Sequence, residues 1–324
     1  MNAQTIDYIG WASHGNLGDD ACLDGLQQLC GDVTVRQTRD PRSPVVVLGG
    51  GTLIYGDAFL EPALKAVEHG ARLAVFGTGV DLHVPLARWE PRRREAWARV
   101  LRAATLVGVR GLRSLVAVRA LGVRRTLVIG DPALSVCATR PPDPAGHDRT
   151  LVLVNGGSDF PPEGGRAPLT AVLGELVEWL LDAGRRVEYL PLRKNDLAHG
   201  RPLIERFRLP VAPLDLAAVL QRIRAAHLVV SLRLHGAVLA AGCGVPAVSL
   251  AYRAKCFDFA ESVGLGDYCL PTAGLDSRRL CDAVQRIDHE YDRLAARLAA
   301  VCREYRRRQR RAAEAILEHL EGEP

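Results

Sequence analysis

Ala225-Ala226-His227-Leu228-Val229-Val230-Ser231-Leu232-Arg233-Leu234-His235-Gly236 reads as a strand, a turn and the opening of a helix. The short apolar run of Ala225, Ala226, Leu228, Val229 and Val230 has the look of a buried strand. Arg233 and His235 stand directly behind it, and Gly236 to Gly242 reads as a tight helix of small residues. In α/β proteins ligands bind outside the carboxyl ends of strands. A helix N-terminus adds free backbone N–H groups and the positive end of a dipole, which suit an anion. The guanidinium of Arg233 is a fixed fork for phosphate or carboxylate, and the imidazole of His235 can move protons near neutral pH. An anionic substrate handled by acid–base chemistry follows from this turn. The competing reading makes Arg233 the partner of a structural carboxylate and His235 a helix cap.

Working outward, the same alternation fills the chain. Short apolar runs at 5–9, 32–36, 45–48, 72–76, 105–109 and 126–129 predict strands, with helices at 19–29, 58–69, 92–103 and 113–121 between them. A second series predicts strands at 151–154, 186–190, 227–230 and 247–250, with helices at 169–183, 214–224, 235–243 and 256–263. Two closing helices are expected at 277–287 and 290–320. Strands alternating with helices signal parallel sheets. The stretch from Ala138 to Arg149, with Pro141, Pro142 and Pro144, has the composition of a linker. The expected fold is therefore α/β, with two Rossmann-like domains. Residues 1–137 form the first, on the acceptor side; 138–149 link them; 150–324, with the C-terminal helices, form the second, on the donor side. Such halves resemble the glycosyltransferase-B arrangement, in which a ligand cleft lies between the domains.

Composition agrees with a folded, water-exposed protein of ordinary make-up. The 324 residues are 48% hydrophobic and 24% charged, with a net charge of +5. That balance fits an anionic small molecule. No basic stripe interleaved with aromatics points to nucleic acid, and the run Arg306–Arg311 reads as a solvated face. The eight cysteines form no C-x-x-C pair and no zinc-ligand spacing with histidine. Reduced thiols in a cytoplasmic protein are the simplest reading. No signal peptide or spanning segment is expected, since the apolar run 237–251 is short and interrupted by glycines and Pro246. A homo-oligomer is left open.

Five segments, taken together and in order, resemble the polysaccharide pyruvyl transferase family. They are Gly15-Asn16-Leu17-Gly18-Asp19-Asp20-Ala21, Leu48-Gly49-Gly50-Gly51, Val109-Arg110 with Ser114, Gly130-Asp131-Pro132-Ala133, and Arg233-Leu234-His235-Gly236 with Tyr252 and Lys255. The resemblance spans roughly residues 5 to 265. One departure stands out: Gly111 occupies the place where the family has aspartate after the arginine.

The resemblance implies transfer of a pyruvyl group from phosphoenolpyruvate to two hydroxyls of a sugar or glycoside, giving a cyclic ketal and phosphate. It makes Arg110 a phosphoenolpyruvate ligand, with Arg233 on the donor's other anionic group and His235 as acid and base. Asn16, Gly18, Asp19, Gly49, Gly50, Gly51, Gly236 and Lys255 are the substrate-binding candidates. By position alone Asp19 suits a helix cap, the glycines suit close backbone approach, and Lys255 suits either a phosphate or solvent. His14 and His83 follow strands, where a lone histidine is usually incidental. No cofactor is expected beyond the donor, and no metal, because a D-x-D arrangement is missing. Two other readings remain: a nucleotide-sugar glycosyltransferase of the same architecture, with Arg233 and Lys255 on the diphosphate, and an inactive binding protein.

Overall fold

The structure, a computed structural model, describes residues 4–139, 148–157 and 165–321. Its contacts divide the chain into two compact units. The first comprises Met1–His14, Asp19–Val136 and Arg303–Pro324; the second comprises Gly15–Gly18 and Cys137–Cys302.

The first unit is built on β1 (Thr5–Ile9), β2 (Thr34–Gln37), β3 (Val45–Gly49), β4 (Arg72–Thr78), β5 (Leu106–Val109) and β6 (Leu127–Val128). Its helices are α1 (Leu17–Cys30), α2 (Asp57–Glu68), α3 (Pro91–Ala103) and α4 (Leu112–Ala120). The strands are all parallel, in the order β2-β1-β3-β4-β5-β6. Val45, Val46, Val47 and Leu48 of β3 are buried without interruption, as a parallel strand covered on both faces requires. On one face Ile6, Tyr8, Val47 and Phe76 pack with Leu26 of α1 and with Ala313 and Ile316 near the chain's end. Burying each such aliphatic or aromatic side chain contributes about 1.5–3 kcal/mol.

The second unit holds β7 (Asp148–Asn155), β8 (Arg186–Tyr189), β9 (Ala226–Ser231), β10 (Ala247–Ala251) and β11 (Cys269–Pro271). They form a parallel sheet in the order β11-β10-β9-β7-β8. Around it run α5 (Arg166–Asp182), α6 (Lys194–Phe207), α7 (Leu216–Ala225), α8 (Leu234–Gly242) and α9 (Ala254–Val263). Helix α8 is buried along its whole length, which its small apolar residues permit. In each sheet the order reverses beside the first strand, at β1/β3 and at β7/β9. Those two crevices are where doubly wound sheets take ligands.

Four differences from the sequence reading have physical causes. Helix α1 begins at Leu17, two residues early, so Asp19 lies inside its first turn and does not cap it; Asn16 Oδ1 instead accepts from Gly18 N at 3.3 Å. Helix α6 was not expected, because Gly200 and Pro202 interrupt its pattern. Gly200 is there for packing: a Cβ at this position would lie 2.2 Å from the Tyr189 ring. The two closing helices are one, α10 (Ser277–Glu321), with no glycine or proline between its ends. Finally, residues from Arg303 onward, assigned by sequence to the second domain, have their contacts in the first unit. Of the expected linker, 140–147 lies outside the described residues.

All eight cysteines are free thiols, seven of them buried; burial pushes the Cys30 thiol up to about 11. Among the described residues no helix is long and apolar enough to cross a membrane.

Candidate functional site

The crevice of the second unit gathers the residues that the Arg233–His235 turn advertised. Asn155 ends β7 and stands in register with Ser231, the last residue of β9. Its Oδ1 accepts from the backbone N–H groups of Gly157 and Arg233, each at 3.3 Å. Its Nδ2 donates to Leu190 O at 2.8 Å and to Asp196 Oδ2 at 3.0 Å. Asp196, in the first turn of α6, is fully buried. It also accepts from Leu192 N at 2.9 Å.

Arg233, 5% exposed, lays its side edge on that carboxylate. Nε donates to both Asp196 oxygens at 2.8 and 2.9 Å, and Nη2 donates to Oδ1 at 2.7 Å. Planar, charge-assisted pairing of this kind is strong and directional. The space around it is tight. A Cβ on Gly157 would come within 2.0 Å of Asp196 Oδ1, and one on Gly236 within 2.2 Å of Ser231 Oγ. Ser231 Oγ in turn donates to Arg233 O at 2.8 Å, holding the turn closed.

His235 is 7% exposed and sits in the first turn of α8. The cap position of that helix belongs to Arg233, with no side-chain cap bond, so His235 does not cap it. Gly15–Gly18 belongs to this unit: Leu17 N donates to Leu192 O at 3.0 Å, and Asn16 bridges Arg193. A Cβ on Gly18 would lie 2.0 Å from His235 Nδ1. Gly18 is therefore glycine because the imidazole rests against its backbone. Lys255 holds its ammonium over the Tyr252 ring, 5.1 Å from the centroid. Beside Asn155 a cavity of about 570 Å³ opens, lined by Gly156, Leu169, Leu173, His199, Leu203 and Leu232 among others, a size that small-ligand sites occupy.

The remaining candidates lie in the crevice of the first unit. Arg110 is wholly buried. Nη1 donates to Gly51 O at 2.9 Å, Nη2 donates to Thr52 Oγ1 at 3.1 Å, and Asp131 stands 4.0 Å away. Asp131 is thus the carboxylate near Arg110, while Gly111 offers none. Gly79 makes room: a Cβ there would be 2.3 Å from Arg110 Nη2. The glycine triplet is packed against protein. Gly50 and Gly51 have φ of +71° and +60°, and a Cβ on Gly50 would strike Cys22 and the Tyr8 hydroxyl at 2.6 Å. Burial holds both the Tyr8 phenol and the Cys22 thiol far above their ordinary values, reinforced by Asp19 and Asp131. Asp19 Oδ1 faces Gly51.

Sequence reading missed Asn155 and Asp196. Asn155 closes a predicted strand, a position that could have flagged it. Asp196 lies on the helix hidden by Gly200 and Pro202, so no local pattern announces it.

A family model described as polysaccharide pyruvyl transferase matches residues 16–253. Among curated proteins none matches the chain significantly. Solved structures share the fold. UDP-GlcNAc 2-epimerase from Neisseria meningitidis bound to UDP-GlcNAc superposes with a TM-score of 0.59 at 11% identity, over 98% of this chain and 99% of that one. Os79 from O. sativa in complex with UDP gives 0.60 at 13% identity, over 97% and 100%. A UDP-glucosyltransferase from Polygonum tinctorium gives 0.58 at 11% identity over the whole of both chains. These are sugar enzymes of the glycosyltransferase-B fold, with two Rossmann-like domains, and at such identities the likeness is one of fold alone.

Proposed function

The chain belongs to the polysaccharide pyruvyl transferase family, and on that premise we propose that it transfers a pyruvyl group from phosphoenolpyruvate to two hydroxyls of a sugar or glycoside. The observation that carries the reading is Arg233 fixed on buried Asp196, with His235 two residues beyond it in the first turn of α8. Arg233 and the helix N-terminus bind the donor's anionic groups. His235 delivers a proton to the donor's vinyl carbon, which becomes the methyl group. The central carbon gains cationic character and a sugar hydroxyl attacks it. Phosphate then leaves with its electron pair, and the second hydroxyl closes the ketal. One of the two hydroxyl protons is replaced in the balance by the new methyl hydrogen; the other leaves on phosphate. The reaction calls on no cofactor besides phosphoenolpyruvate.

Thermal melting and phosphate release test this. A ligand at 100 times its Kd stabilises the folded state by about 2.7 kcal/mol. Phosphoenolpyruvate is expected to raise Tm and, with glycoside acceptors present, to yield phosphate and a product heavier by one pyruvate ketal. A Tm rise with UDP-sugars and none with phosphoenolpyruvate would overturn the proposal in favour of glycosyl transfer.

A further inference from the structure

The free edge of the first unit's sheet carries charge and exposed apolar side chains that the proposed reaction does not use. β6 is the last strand of that sheet, and α4 packs against it. Residues of α10 from Arg303 onward belong to the same unit and are tied to β6 as well. Arg308 Nη1 donates to Val128 O at 2.8 Å, and a Cβ on Gly130 would lie 2.8 Å from the Tyr305 ring. With Tyr305 level with Gly130 and Arg308 level with Val128, α10 descends beside β6. Arg311, one turn further on the same flank, comes level with Leu127. The run Arg306–Arg311 is thus not a uniformly solvated face.

Three large aliphatic side chains are exposed at this edge: Leu127 by 62%, Val116 by 68% and Leu112 by 48%. Leu112 and Val116 stand one turn apart on one face of α4. The charge around them has one sign. No aspartate or glutamate lies between Glu95 and Asp131. Arg119, Arg124, Arg125 and Arg311 are exposed, and among the described residues none of the four pairs with a carboxylate. Residues 303–315 of α10 hold six arginines against Glu304 and Glu314, and Glu304 is already shared by Arg307 and Arg308.

Charged side chains guard a sheet edge against pairing, but they give no reason for exposed aliphatics among them. A second copy is a poor occupant, because the symmetric contact of a dimer sets a patch against itself and would bring arginine to arginine. Nucleic acid is another, since the patch offers bases no exposed aromatic ring. An anionic bilayer fits both features: its surface attracts arginines, and its headgroup–acyl boundary takes up aliphatic side chains. We propose that the β6 edge docks the protein on an anionic lipid surface. Leu112, Val116 and Leu127 enter the headgroup layer, and Arg119, Arg124, Arg125 and Arg311 meet the lipid phosphates. This docking stands independently of the pyruvyl-transfer reading.

The test is sedimentation of the full chain with two kinds of vesicle, phosphatidylcholine alone and two parts phosphatidylcholine to one part phosphatidylglycerol, at about 0.1 M salt. Binding is expected to the mixed vesicles and not to phosphatidylcholine alone. Arg124→Gln and Arg125→Gln should each weaken it about fivefold. The double change Val116→Ser with Leu127→Ser leaves the charge alone and should weaken it about tenfold or more. All of these positions are exposed, so the variants should melt as the wild type does. Arg278→Gln, exposed in the second unit, is the unchanged control. Absence of binding to the mixed vesicles, equal binding to both kinds, or serine variants that bind as the wild type does would overturn the assignment. Capture by polyglutamate without capture by vesicles would overturn it in favour of an acidic polypeptide, and a dimer in light scattering that Leu127→Ser splits would overturn it in favour of a second copy.

Discussion

Replacing Asp196 with asparagine is the sharpest probe of the second unit's crevice, because it keeps the shape and removes the charge. Asp196 accepts from Arg233 Nε and Nη2, Asn155 Nδ2 and Leu192 N. Whichever oxygen becomes an amide NH₂, it faces a donor: Arg233 Nη2 on the Oδ1 side, Leu192 N and Asn155 Nδ2 on the Oδ2 side. Removing one partner of a buried ion pair costs about 3–5 kcal/mol. At about 2–4 °C per kcal/mol for a unit of this size, Asp196→Asn should lower the Tm of the second unit by roughly 6–20 °C. It should also weaken phosphoenolpyruvate binding, since the guanidinium loses its fixed plane. Glutamate is no remedy, because the carboxylate already sits where a Cβ on Gly157 would have to go. Calorimetry and a donor titration measure both effects. The paired change Asp196→Leu with Arg233→Met separates them: matched apolar side chains can recover the stability of a buried pair but offer nothing to an anion. An Asp196→Asn protein with wild-type melting and wild-type donor affinity would refute the reasoning.

Two further outcomes follow from the geometry. His235→Asn should fold and keep the Tm rise given by phosphoenolpyruvate, yet lose about 10²–10⁴-fold in phosphate release; near-normal turnover would remove His235 from the chemistry. Arg110→Ala should destabilise the first unit by about 3–5 kcal/mol, leaving Asp131 buried beside an empty space. Lysine should recover only part of it, since one ammonium does not span Gly51 O and Thr52 Oγ1 as the fork does. Loss of donor binding with unchanged melting would instead make Arg110 a direct ligand.

How much was legible depended on what kind of signal each feature leaves. Strand β3 carries the continuous apolar run Val45–Leu48, and β1 alternates around Ile6, Tyr8 and Ile9; both were read to within a residue. Helix α6 was not, because the features that break a helical pattern, Gly200 and Pro202, answer a tertiary demand from Tyr189 that no local window contains. The glycine triplet was read as room for a ligand, and the structure fills that room with Tyr8, Cys22 and Asp19. Glycine marks close approach reliably, but the sequence does not say what approaches. The carboxylate near Arg110 is likewise tertiary: Asp131 is 21 positions away in the chain, and only the fold brings the two within 4.0 Å.

Arg233 shows why the two readings of its turn were never true alternatives. The competing view held that it pairs with a structural carboxylate, and it does, with Asp196. A guanidinium has five N–H groups arranged around a plane, and the carboxylate uses the Nε/Nη2 side. Pairing on that side fixes the plane and removes the rotamer entropy that an unrestrained arginine would lose on meeting an anion. A lysine held by the same carboxylate would lack the planar fork that fixes the group. On the proposed function, the buried pair is thus what suits an arginine at this position to an anionic donor. It also explains why the carboxylate comes from α6 in the same unit, and why Asn155, bonded both to that carboxylate and to the Arg233 backbone, joins the three residues into one rigid piece.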